Sequence, residues 1–135
     1  MRKHSKKYQE AGISPARFKE LQGFCLQYKE MQRILRMARA GIVDRREGNG
    51  AWRKPDPTGN AAQALADNPA ARRVKLIEDC AGAVADPVIA EYILRSVTEG
   101  KTWDVMIPPI DRKLFYELRQ DFFIELDKRL WEISP

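Results

Sequence analysis

Hydrophobic residues recur along most of this chain at steps of three and four, and the strict alternation of strands is nearly absent. The pattern predicts an all-α fold. Behind a basic tail over 1–13, Ser14 can cap a helix whose first position is Pro15, where a missing N–H costs nothing. This helix is expected to run over 14–40, with Gly41 as its stop. Phe18, Leu21, Cys25, Tyr28 and Leu35 form its apolar stripe, widened by Phe24 and Met31, with Gln32 in one seam position. Lys29, Arg33, Arg36 and Arg39 make a basic ridge on another face, either simply solvated or set against phosphate or a partner.

Periodicity then lapses. The stretch 41–59 carries Gly, Pro, Asn and Asp at turn-forming density and reads as a flexible basic linker. Its Gly48-Asn49-Gly50 is no phosphate-binding loop, because no strand precedes it and no Gly-Lys-Ser/Thr follows. Trp52 stands among Arg45, Arg46, Arg53 and Lys54, and either folds onto the core or offers a stacking and charge surface to nucleic acid. A helical domain is expected over 60–135. Thr58 can cap a short alanine-rich helix through Ala66, and Asn68-Pro69 opens a helix with Val74, Ile77 and Cys80 inward. Asp86-Pro87 repeats that start signal for a helix carrying Val88, Ile89, Tyr92, Ile93 and Val97, which Gly100 closes. Thr102 begins a very short segment, IPPID makes a turn, and Asp111 caps a last helix from Arg112 to about Trp131. Leu114, Phe115, Leu118, Phe122, Phe123, Leu126 and Leu130 are too many for one narrow stripe, so this helix should be buried on more than one side.

Composition narrows the chemistry. The 135 residues suit one small domain, and no apolar run reaches the ~18 residues that span a bilayer. The charged N-terminus has no apolar stretch behind it, so a cytoplasmic protein is expected. Cys25 and Cys80 make neither a disulfide framework nor a zinc site and read as buried free thiols; no metal or cofactor is expected. With His4 as the single histidine, in a tail, the common acid–base arrangements are missing. Glu78, Asp79 and Glu91 read as surface charges, and no enzyme is expected. The net charge of +5 is unevenly placed: +9 over Met1–Lys54, −3 over Pro55–Gly100 and −1 over Lys101–Pro135. An anionic partner would thus be met mainly by the N-terminal part.

The stretch 87–131 has the layout of a helix-turn-helix: a helix, a one-turn segment, a proline-bearing turn and a long final helix. In such a unit the last helix offers its first turns to the major groove. Arg112, Lys113, Tyr116, Glu117 and Gln120 then form a polar face for base edges, Arg and Lys suiting guanine, Gln adenine and Glu cytosine. A solvated face of a helical bundle has the same pattern.

The segment KLIEDCAGAVADPVIAEYILRSVTEGKTWDVM, with IPPIDRKLFYELRQDFFIELDKRL after it, resembles the C-terminal region of the ArpU/RinA-type late-gene regulators of phages and prophages in Gram-positive bacteria. DPTGNAA and the opening YQEAGISPARFKEL are also similar to phage proteins of this kind. The resemblance implies a helix-turn-helix like sigma-factor region four, and promoter or control-region DNA as partner. It implies Trp103 in the second helix of the unit, Ile107 and Pro108 in the turn, Arg112, Lys113 and Tyr116 on the recognition helix, and Phe115, Phe122 and Phe123 in the core. The chain departs from that pattern at Pro109-Ile110 and at Gln120-Asp121, where Asp121 replaces a cation and weakens the phosphate term.

The expected function is a non-enzymatic DNA-binding transcriptional regulator of phage or prophage late genes. Phosphate contacts are assigned to Lys101 and Thr102 and to Arg33, Arg36, Arg45, Arg46, Arg53 and Lys54. The first helix would supply a homodimer or higher homo-oligomer contact, or one to RNA polymerase. The alternative is a phage assembly or DNA-packaging accessory protein, a helical oligomer like a terminase small subunit.

Overall fold

The computed structural model describes residues 5–39 and 68–133. Every regular element among them is helical: α1 (Lys6–Glu10), α2 (Pro15–Leu26), α3 (Tyr28–Arg39), α4 (Pro69–Val84), α5 (Pro87–Glu99), α6 (Trp103–Met106) and α7 (Arg112–Ile133). No helix among these residues is long and apolar enough to cross a membrane. His4, Trp52, Arg45, Arg46, Arg53, Lys54 and the alanine-rich helix expected after Thr58 lie outside the described residues.

The start signals act through side-chain oxygens on orphan N–H groups. Ser14 Oγ accepts from Arg17 N at 3.1 Å, Asn68 Oδ1 from Ala70 N at 2.7 Å, Asp86 Oδ1 from Ile89 N at 3.0 Å, and Asp111 Oδ2 from Leu114 N at 3.2 Å. Gly100 ends α5 at φ +72°, a left-handed conformation in which its N–H donates to Ser96 O at 2.9 Å. A Cβ there would meet nothing within 4 Å, so the backbone angle alone calls for glycine. Ile107 takes the same region at φ 47° to end α6, with its side chain exposed. A β-branched residue pays strain in that conformation.

Two expectations are corrected. The basic tail holds a short helix, α1, capped by Ser5 and carrying a buried Tyr8, followed by a fully covered Ile13. Chain locality alone did not mark Tyr8 and Ile13 as core. The long first helix is also broken at Gln27, whose N–H turns back to Phe24 O at 3.4 Å, and α3 begins at the next residue. Because Cys25, Tyr28, Met31 and Leu35 keep their spacing across the break, periodicity could not reveal it.

The chain divides into two compact units, Met1–Gln27 with Leu76–Pro135, and Tyr28–Lys75. In the second unit Tyr28, Met31 and Leu35 are buried on α3, while Lys29, Arg33, Arg36 and Arg39 are exposed. Gln32 Nε2 donates to the Tyr28 hydroxyl at 3.0 Å, which accounts for a polar residue in the seam.

In the first unit α7 packs against α1, α2 and α5, and α2 packs against α5. Phe115, Phe122, Phe123 and Leu126 are completely covered. Burying each such side chain stabilises the fold by roughly 2–3 kcal/mol. An aromatic chain links three helices: Tyr8 to Phe18 at 4.8 Å, Phe18 edge-on to Phe123 at 5.1 Å, and Phe123 edge-on to Phe122 at 5.2 Å. Cys25, Ile77, Cys80 and Ile93 complete the core, and both cysteines are free thiols. Val88, Leu114 and Trp131 are exposed instead of joining it.

Two ion pairs fasten this unit. Arg17 Nε lies 2.6 Å from Asp127 Oδ1, with its guanidinium 5.2 Å from the Trp131 ring, so that α2 is tied to the end of α7. Lys7 of α1 pairs with Asp121. Asp121 therefore has a structural partner.

Candidate nucleic-acid interface and the cavity beside it

The polar face assigned to base edges divides in two. Arg112, Lys113 and Glu117, on the first turns of α7, are exposed. Tyr116 and Gln120 are partly covered and line a cavity of about 550 Å³. The Tyr116 hydroxyl accepts a hydrogen bond from Trp103 N at 3.2 Å, and Trp103 Nε1 donates to Ile110 O at 3.0 Å. These two bonds clamp α6 and the proline turn against α7, making Tyr116 a strut of the turn. Arg112 carries its guanidinium 5.9 Å from the Tyr116 ring, and one flank of the exposed face is thereby ordered.

Among the described residues the assigned phosphate contacts fall in two places. Lys101 and Thr102 precede α6; Thr102 Oγ1 makes no capping bond, and Lys101 Nζ lies 3.3 Å from Glu99 Oε1. A pair this open to water is weak and easily exchanged for another anion. Arg33 and Arg36 are exposed on α3 in the other unit.

One residue of the cavity lining is a cation that periodicity did not single out. Arg119 lies one helical turn beyond Phe115 and Tyr116, with its guanidinium 5.2 Å from the Phe123 ring. Its Nε donates to Ser96 Oγ at 3.0 Å, and Ser96 in turn donates to Lys101 O at 2.7 Å. This relay connects the middle of α7 to the end of α5 and fixes the backbone that leads into α6. Burial lowers the Arg119 pKa from its ordinary value, while the guanidinium remains the charged form. Burial also pushes the neighbouring Tyr8 hydroxyl up to about 12, against a smaller opposing pull from Arg119. The sequence signal for this site was a cation inside an aromatic segment, FYELRQDFF, at a position that should face the core.

Among the described residues no group of His, Cys, Asp or Glu is placed to hold a metal ion. The buried thiols of Cys25 and Cys80 are each pushed to about 12, chiefly by burial, and so stay protonated near neutral pH. Comparison with protein-family models, curated proteins and solved structures returns no match.

Proposed function

We propose that this chain is a non-enzymatic, DNA-binding transcriptional regulator of phage or prophage late genes, with α5, α6 and α7 acting as its helix-turn-helix. The supporting observation is the exposed trio Arg112, Lys113 and Glu117 on the first turns of α7, directly after a one-turn helix and a clamped proline turn. In this reading Arg112 and Lys113 donate to guanine edges and Glu117 accepts from cytosine. Tyr116 supports the turn and Gln120 lies at the inner limit of the surface. Lys101 and Thr102 meet the phosphate backbone, and the exposed Lys29, Arg33, Arg36 and Arg39 of α3 add attraction that carries no sequence information. The resemblance to the ArpU/RinA-type regulators points to the same partner. RNA polymerase and a second copy of the chain are further proposed partners.

Selection of binders from a pool of randomised duplexes, followed by titration of the winner at 50 and 200 mM salt, tests this. Enrichment of one sequence, with affinity falling steeply as salt rises, is expected. Recovery of an unenriched pool, or affinity that salt does not change, would discard the proposal.

A second reading, a helical oligomer of phage assembly or DNA packaging, is favoured by one feature: Trp131 and Ile133 are each 64% exposed at the end of α7. Mass in solution separates the two. A ring of many subunits supports packaging, and a monomer or dimer supports the regulator.

A further inference from the structure

The cavity beside α7 pairs a shielded cation with space for a ligand. Arg119 has a hydrogen bond to Ser96 and an aromatic face at Phe123, and among the described residues no carboxylate pairs with it. Among the described residues no acidic side chain lines the cavity. Asp121, close in sequence, is taken by Lys7, and Glu99 is taken by Lys101 at the rim. The cavity is also lined by neutral hydrogen-bonding residues from separate elements, Gln22 of α2, Thr102 before α6 and Gln120 of α7. Phe18 and Tyr116 bring aromatic side chains to its lining, with the buried Tyr8 ring packed 4.8 Å from Phe18. A partly covered cation without a counter-ion is costly to keep, and an anion from solution would relieve that cost. The volume of about 550 Å³ is that of a small-molecule site and exceeds what one inorganic anion fills.

We propose that this cavity binds a small phosphate monoester with a planar body, its phosphate held by Arg119 and its body against Phe18 and Tyr116. Arg119 meets two phosphate oxygens with its terminal nitrogens, because Nε is already engaged by Ser96. Gln22, Thr102 and Gln120 have the donors to reach the remaining oxygens or the body of the ligand. The ligand would touch Tyr116 and Thr102, which flank α6, so occupancy would also brace the turn that presents Arg112 and Lys113.

The test uses the full chain without DNA, and its outcome is therefore independent of the regulator reading. Thermal unfolding and heteronuclear NMR are followed while AMP, inorganic phosphate or adenosine is added at constant ionic strength. AMP is expected to give a saturable rise in Tm, and shifts at residues 96–102 and 116–120, at concentrations at least tenfold below those needed with phosphate. Adenosine is expected to give neither. Gln22→Glu, nearly isosteric and placed on the cavity wall, supplies an internal counter-charge and should weaken AMP at least tenfold while the fold is retained. Arg119→Gln should abolish binding; if it unfolds, Gln22→Glu still decides. The proposal is overturned by an AMP response that does not saturate, by adenosine binding as well as AMP, or by Gln22→Glu binding AMP at the wild-type affinity.

Discussion

Arg112 and Arg119 lie seven residues apart on one stripe of α7, and each sets its guanidinium beside the ring four residues further on, 5.9 Å from Tyr116 and 5.2 Å from Phe123. Arg112 is exposed, whereas Arg119 is partly covered and bonded to Ser96. What differs is the packing beside each side chain: Ser96 of α5 bonds Arg119 and the Phe123 ring is fully covered, whereas the Tyr116 ring beside Arg112 is only partly covered. The same side chain on the same repeat is thus free to meet a partner at one end and bound into the fold at the other.

The largest test of this contrast is alkaline pH, because the covered end contains groups that must stay protonated. Tyr8 is raised from 10.0 to about 12, and Cys25 and Cys80 from 9.0 to about 12, in each case first by burial. The folded state keeps these protons to higher pH than the unfolded chain does. Their contribution is therefore complete below pH 9 and is lost as pH climbs from 9 toward 12. Each group costs about 1.4 kcal/mol per pH unit within its own window, so stability falls steeply between pH 9 and 11. Urea unfolding at pH 8, 10 and 11 measures it; a flat profile would mean that the thiols and Tyr8 are not covered as described.

Next in size, Arg119→Ala removes a hydrogen bond, an aromatic contact and packing, and should lower stability by about 2–3 kcal/mol. Arg112→Ala should change it by less than about 0.5 kcal/mol. Equal losses in thermal melts would erase the distinction between the two ends. Arg17→Ala strands the mostly covered carboxylate of Asp127 and should cost about 2 kcal/mol, most of it recovered in Arg17→Ala with Asp127→Leu. For DNA, Arg112→Gln with Lys113→Gln should reduce specific affinity by roughly tenfold or more without moving Tm, an effect read by titrating the selected duplex. Gly100→Ala forces a Cβ into the left-handed region and should cost about 1 kcal/mol, with no steric clash to add to it, as a thermal melt would read.

Much of this fold was legible because its signals are local. Ser14-Pro15, Asn68-Pro69, Asp86-Pro87 and Asp111 each start the helix they were expected to start, and Gly100 ends one. The apolar repeats likewise named Leu21, Ile77, Ile93, Phe115 and Phe122 as inward. Less legible was anything that depends on which face is covered. Tyr8 is core because α2 brings Phe18 against it, and the break at Gln27 leaves the hydrophobic spacing intact. On α7, Tyr116 and Gln120 share a polar face with Arg112, Lys113 and Glu117 on a helical wheel, yet they border a cavity made by other elements. The position of Arg119 in an aromatic run was visible; its partner Ser96, twenty-three residues away, was not.

By itself, then, the sequence determined that the described elements are helices and where most of them begin and end, since caps and periodicity act within a turn or two. Tertiary structure alone decided which charges stay available. Asp121 is neutralised by Lys7, Asp127 by Arg17, and Arg119 is drawn under α2 and α5, while Arg112 and Lys113 are left outside. The physical reason is that the energy of a charge depends on its distance from water and from other charges, and packing between segments remote in sequence sets both.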